Sequence, residues 1–487
     1  MKFQVFKEGK VLTDFNIGEA FLFGDDGIAI KQAKIAFQNG LIECSKPNLI
    51  TASFSLVWEV SGFGNVMLAT TYLPEREKPY ILNLEIARAK LMQLIIKRED
   101  WQFFDGIEGL EDTYKASQNL FIKAVQSISD PALASTLADQ SLEKSVLLSE
   151  QLAAKRAESL LTARVQNRVL GKGCLGGTVD IAKMTDVKYL ETMLELFRYV
   201  NITVSWADIE QKKGVYNFAE LDKAILFFTR KKLAVGIGPL LCFKKEFLPN
   251  WLIKEGRDFD SVKEAAYKFV TAIVTRYTAH IKTWRVISGL NVYNYLGFSF
   301  EQVLEITRAA CLAAKAVNDQ SAKIIDVCEL WGEYYSYKPN CVPPVVYMDL
   351  IVQNGIQFDA FGLPMMFGKD ENGMHVRDMM QISAMFDYIA LIGKTCLITE
   401  LAVPSDVKED SQAGTWHEKW SEKTQSQWLE QFYTIALSKP FIDSVVYGNL
   451  MDDDSAQIPD GGLIKKDGSP KQAVETIKAI KQIIFAR

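Results

Sequence analysis

Two carboxylates in this chain stand where enzymes built on parallel strands place their chemistry. In Thr395-Cys-Leu-Ile-Thr-Glu400-Leu-Ala-Val-Pro404 an apolar run reads as a buried strand that delivers Glu400 at its C-terminal tip, the position from which such folds present a nucleophile. The strand-like run Trp284-Arg-Val-Ile-Ser-Gly289-Leu-Asn291 ends without an acid, but the next one is followed directly by Glu329, in Cys328-Glu329-Leu-Trp331-Gly-Glu333. Glu329 is therefore the candidate proton donor. A carboxylate past a strand can also cap a helix, and a loop acid can simply be solvated. Glu333 lies a turn further and faces elsewhere if its segment is helical, Asp208 and Glu210 suit the start of a helix, and Asp452, Asp453 and Asp454 form a run that is either solvated or a set of hard oxygen ligands.

Aromatic rings that can stack on a flat apolar ligand face, with polar neighbours to take its hydrogen bonds, are the groups that line binding clefts. Trp206, Trp251, Trp284, Trp331, Tyr334 and Tyr447, with Asn291 as a polar neighbour, fall at or just beyond predicted strand ends. Trp284 and Tyr447 equally suit a core, whereas Trp331 beside Tyr334 and Tyr335 in a loop suits a platform. Trp416-His417-Glu418 and Trp420 come after the Glu400 strand, as a lid or as packing on the rim. The glycines of Gly171-Lys-Gly-Cys-Leu-Gly-Gly177 lack the spacing of a phosphate loop.

No cofactor or metal is expected. Only three histidines occur, none at ligand spacing, and the seven cysteines are scattered through apolar runs without a Cys-x-x-Cys pair. A formal charge of −5 without a dense basic block argues against nucleic acid as a partner. The first ten residues carry charges where a signal peptide needs apolar length, and no segment has the length of a membrane span. A cytoplasmic protein without a membrane partner is expected.

The elements that must position these groups fall into three stretches. Residues 1–82 hold short β-type runs between turn signals, which suggests a small β-sandwich. Its Trp58 and Tyr72 are the residues a carbohydrate platform would use, although alternating aromatics more often fill a core. Residues 83–167 switch to helical period and read as a helical connector, a hairpin clamping the β-module to the C-terminal region. From 168 to 487, eight short apolar strands alternate with amphipathic helices, beginning near 173, 199, 234, 283, 323, 358, 395 and 444. That alternation predicts an α/β fold, a (β/α)8 barrel.

The barrel region also resembles glycoside hydrolase family 10, the endo-β-1,4-xylanases. The resemblance rests on Trp206-Ala-Asp-Ile-Glu-Gln-Lys-Lys-Gly214-Val-Tyr-Asn-Phe218 with Asp222, on Leu248-Pro-Asn-Trp251, on Trp284-Arg-Val-Ile-Ser-Gly289, on Leu397-Ile-Thr-Glu400-Leu and on Gly462-Leu-Ile-Lys-Lys-Asp-Gly-Ser-Pro-Lys471, all in the family's order. It implies a retaining mechanism on a β-linked glycan or glycoside, in which two carboxylates about 5–5.5 Å apart act as nucleophile and acid/base. Glu400 matches the nucleophile. Gly289 occupies the acid/base position and Ser288 that of the preceding asparagine. Ser205 replaces a substrate-binding lysine, Asn201-Ile202 a Glu-Asn pair, Pro239 a histidine, Phe243 a tryptophan, and Pro364 and Met366 a glutamine and a histidine near the nucleophile. The expected partner is an oligo- or polysaccharide of xylan type. The alternative is a catalytically silent barrel that binds sugar.

Overall fold

The computed structural model describes residues 1–101, 109–255, 258–371, 373–406 and 411–485. Its C-terminal two thirds is a closed parallel barrel with staves Leu175–Val179, Tyr199–Ile202, Ala234–Ile237 continued by Leu241–Cys242, Thr283–Ser288, Ala322–Asp326, Ala360–Met366, Thr395–Ala402 and Ile442–Tyr447. The first strand closes on the last, Leu175 beside Val445. Strands covered by helices on one face and a filled barrel on the other have no wet side, which is why they read as continuous apolar runs.

All eight predicted strands form, and the differences lie at their ends. The second stops at Ile202, so that Trp206–Ile209 is a short helix. The seventh continues to Ala402, placing Glu400 inside the strand beside Pro364 of the sixth. Its pairing with the eighth shifts register between Ile398 and Leu401. Ordinary alternation would point Thr399 and Glu400 to opposite faces; the irregularity lets both side chains address the barrel interior.

Ahead of the barrel, Lys2–Gln4, Lys34–Gln38, Leu41–Ser45 and Tyr80–Ile81 form a four-stranded sheet, and Ala20–Gly24, Ala52–Val60 and Gly64–Ala69 a three-stranded one. Phe3 stacks on Phe54 at 5.0 Å to join them. Trp58 is buried and packs near Phe15, whereas Tyr72 is half exposed, so the two make no common platform.

Three helices rather than a hairpin link these sheets to the barrel: Leu82–Asp100, Glu111–Gln126 and the 36-residue Pro131–Gln166. Proline at the first position and the Asp130 side chain accepting from Leu133 N–H start the long helix. It packs on the barrel helices Met379–Ala390 and Glu422–Ser438. Arg164 Nη1 donates to the carbonyls of Leu437, Lys439 and Ile442, at the end of the second of these. Glu150 accepts from the Met379 N–H and Trp416 Nε1, both at 2.9 Å, and pairs with His417 Nε2 at 2.8 Å. Trp416 and His417 thus pack against the helical layer rather than forming a lid.

The β-module also holds the barrel's rim. Met67 N–H donates to Val376 C=O and Thr415 N–H to Asn65 C=O, which ties down the loops after the sixth and seventh strands. Among the described residues no helix is long and apolar enough to cross a membrane.

Because Glu150 is a buried carboxylate serving three donors, Glu150→Ala should lower the unfolding free energy by about 3 kcal/mol. Denaturant titration of both proteins measures this, and the loss should exceed that of an exposed control such as Glu158→Ala.

Candidate active site

The barrel interior begins with an unusual charge. Arg285, in the middle of the fourth strand, is buried and points inward. Its Nε and Nη2 donate to Asp326 Oδ2 of the fifth strand at 2.8 and 2.6 Å, and Thr399 Oγ1 of the seventh donates to Asp326 Oδ1 at 3.1 Å. The sixth strand contributes an absence. A Cβ on Gly362 would stand 1.8 Å from Asp326 Oδ1, so only glycine leaves room for this carboxylate.

Glu400 lies above this network, its Oε2 3.9 Å from Arg285 Nη2, with 34% of its side chain exposed to the cleft. Burial raises its pKa above the ordinary carboxylate value, while Arg285 acts in the opposite direction and favours the charged form. In return, burial works against the guanidinium charge, but Asp326 and Glu400 more than offset it and hold Arg285 protonated.

Glu329 follows the fifth strand with φ +51°. A left-handed glutamate is strained, and its neighbour is held from both sides: Asn291 Nδ2 donates to Cys328 C=O at 2.9 Å and Asn291 Oδ1 accepts from Cys328 N–H at 3.2 Å. Asn291 also donates to the Tyr334 hydroxyl, which donates onward to Val342 C=O. The Glu329 side chain is 8% exposed, with Lys338 Nζ 3.5 Å from Oε1. Burial pushes its pKa up to about 7, against smaller opposing effects of Lys338 and the Tyr293 hydroxyl and with a contribution from Glu333 in the same direction.

Glu400 and Glu329 line one cleft of about 350 Å³ at the C-terminal end of the strands. Trp331 lines it too, its ring edge-on to Phe367 and covered by the Arg377 guanidinium at 4.4 Å. The other expected binding residues are elsewhere. Trp206 is buried, stacked on Phe269 and bonded through Nε1 to Glu210 Oε2, and Trp251 Nε1 donates to Glu210 C=O. Trp284 and Tyr447 are fully buried, the latter donating to Gly461 C=O. Tyr334 and Asn291 are buried as well and hold the Glu329 loop. A strand end is a crowded place, and a large ring there has as much core to fill as cleft to line.

Five of the other acids named from the sequence are spent structurally. Glu333 is buried in an ion pair with Arg377, and Glu210 serves Trp206 and Gly214 N–H. Asp452, Asp453 and Asp454 pair with Lys471, Lys183 and Lys466, respectively. Among the described residues no group of histidine, cysteine and acid side chains is arranged to hold a metal.

Cleft residues that the sequence patterns do not single out include Arg285, Lys244, Glu246, Tyr293 and Cys328. Arg285 carried a signal, since a charge inside an apolar strand demands a buried partner, and Asp326 sits likewise inside the next strand. Tyr293 carried none. It accounts for Gly289, whose φ is +62° and whose added Cβ would meet the Tyr293 ring at 2.5 Å and Cys328 Sγ at 2.9 Å.

Gly289→Glu should therefore create no working acid. The left-handed backbone alone costs about 1–2 kcal/mol for a non-glycine residue, and the ring must move besides. The expected result is a lower melting temperature with no gain in turnover of any aryl glycoside.

No curated protein matches the chain. Its fold is similar to native xylanase 10B from Thermotoga maritima, with a TM-score of 0.52, 17% identity and coverage of 67% of this chain and 98% of that one. It is also similar to xylanase 10B from Thermotoga petrophila RKU-1 in complex with xylobiose, with a TM-score of 0.50, 18% identity and coverage of 63% and 94%. A third similar structure is a Cellvibrio japonicus Xylanase10C variant in complex with xylopentaose, with a TM-score of 0.51, 13% identity and coverage of 64% and 66%. The family model for glycosyl hydrolase family 10 matches residues 167–480, nearly the whole barrel, and on that match the chain belongs to glycosyl hydrolase family 10.

Proposed function

We propose that the protein is a retaining glycosidase acting on a β-linked glycan or glycoside, with Glu400 as nucleophile and Glu329 as an acid/base displaced from the fourth strand to the fifth. The observation that carries the reading is two carboxylates that line one cleft in different surroundings. Glu400 has an arginine beside it that favours the anion, while Glu329 is buried and its pKa is pushed up to about 7. Burial raises both pKa values, and a buried arginine opposes the rise at Glu400, which suits the two carboxylates to different roles. The solved relatives in complex with xylobiose and xylopentaose support an oligosaccharide of xylan type as the substrate class.

In this scheme Glu400 Oε attacks the anomeric carbon while Glu329 gives its proton to the departing oxygen. A bond to carbon forms as the glycosidic bond breaks, leaving a glycosyl ester and an anionic Glu329. That carboxylate then takes a proton from water, which attacks the anomeric carbon and releases Glu400. Arg285 stabilises the Glu400 carboxylate as the leaving group of this second step. Asp326 and Thr399 position the guanidinium.

The second reading is a sugar-binding barrel without turnover, and the glycine at position 289 favours it. Incubation with 2-deoxy-2-fluoro xylosyl and glucosyl donors carrying an activated leaving group separates the two, because such donors need no proton. The expected result is a glycosyl adduct mapped to Glu400 and absent from Glu400→Gln. No adduct, with oligosaccharide binding retained, would overturn the enzyme reading.

Glu329→Gln should reduce turnover of poor leaving groups by roughly 10²–10⁴-fold and that of activated aryl glycosides far less. Since the proton donor is the form present below its pKa, the wild-type rate should fall as pH rises through about 7. The variant should lose that limb. A basic limb unchanged in Glu329→Gln would remove Glu329 from the scheme.

A further inference from the structure

The cleft contains a positive charge that the proposed mechanism does not use. Lys244 follows the third strand in Cys242-Phe-Lys-Lys245, and its side chain lines the cleft with Nζ 4.0 Å from the centroid of the Tyr293 ring. Arg285 is committed to Asp326 and to Glu400, but no carboxylate among the described residues forms an ion pair with Lys244. An ammonium resting on an aromatic face is held on one side by the ring and open on the other.

Its position relates it to both acids. Lys244 joins Arg285 in opposing the rise that burial gives the Glu400 pKa, and Tyr293, on which it rests, interacts with Glu329. The cleft wall combines apolar Pro239, Pro364, Met366 and Met374 with polar Thr203, Glu246, Ser288, Ser455 and Gln457. Of the cations that line the cleft, Arg285 and Lys244, only Lys244 has no carboxylate partner among the described residues, so it is the one left to meet an anionic group on a ligand.

Resting on the sugar-cleft reading above, we infer that Lys244 is an anion-recognition residue, and that the cleft takes a glycan bearing a negatively charged substituent, a uronate carboxylate or a sulfate ester, on a sugar bound beside the two acids. A neutral chain would leave the ammonium desolvated and unpaired. A substituent anion closes the open hemisphere above Tyr293 and is discriminated from its neutral counterpart by that contact.

The test is calorimetric titration of the full-length protein with three ligands of equal backbone length: a neutral xylo-oligosaccharide, the same chain carrying a glucuronic acid, and the same chain carrying a sulfate ester. Each is run on wild type, Lys244→Met and Lys244→Arg. The expected result is at least tenfold tighter binding of one acidic ligand, with the preference lost in Lys244→Met, largely kept in Lys244→Arg and weakened by added salt. Which acidic ligand binds tighter identifies the substituent. Acidic and neutral chains binding within twofold of each other, or a preference that survives in Lys244→Met, would overturn the inference while leaving the sugar cleft standing. Failure of all three ligands to bind wild type would overturn the cleft reading and this inference together.

Discussion

The buried pair between Arg285 and Asp326 is the interaction around which the barrel's interior is arranged. A guanidinium cannot stay charged inside a barrel unless a carboxylate meets it with good geometry and the remaining lone pairs are occupied. Four strands answer that requirement: the fourth supplies the arginine, the fifth the aspartate, the seventh Thr399, and the sixth a glycine that makes room for the carboxylate. Glu400 is placed by the same demand, because the irregular seventh strand that turns Thr399 toward Asp326 also turns Glu400 toward Arg285. A pair of this kind adds little to stability on balance. Its consequence is to set the charge state and the direction of the residue above it.

The loop after the fourth strand shows what the departure from the family pattern involves. Gly289 is not an empty slot, because its left-handed backbone and the Tyr293 ring fill the space a longer side chain would need. The same ring touches the surroundings of Glu329 and carries Lys244. On the proposed assignment, loss of an acid at one strand tip and gain of a buried one at the next are a single rearrangement, with Asn291 and Tyr334 as the scaffold that holds Glu329 in a strained conformation. Residues that resembled sugar contacts in the sequence are part of the frame.

The N-terminal third bears on this site through the rim. Its sheet hydrogen-bonds to the loops after the sixth and seventh strands, and the long helix anchors Met379, Trp416 and His417 through Glu150. The described parts of both loops are thereby tied to two other layers, and Met374 of the first lines the cleft.

The chain's order of elements could be read without coordinates, because burial on both faces writes itself as apolar β-branched runs, and helices between them as three-to-four-residue periodicity. Glu400 could be read for the same reason: a lone acid in such a run has few explanations. Glu329 was legible only as an acid after a strand. Its raised pKa comes from burial, which Lys338 and the Tyr293 hydroxyl oppose, and burial is set by packing that the run around Glu329 does not record. The aromatic platform was over-read, since a tryptophan at a strand end looks the same whether it faces helices or cleft, and only packing separates Trp331 from Trp206, Trp284 and Tyr447. Local sequence therefore determined which strands form and which carry acids, through hydrophobic periodicity, which is a property of neighbours along the chain. Tertiary structure alone decided which side chains face one another across the barrel, because closing the sheet brings together residues whose separation in sequence carries no record of the contact.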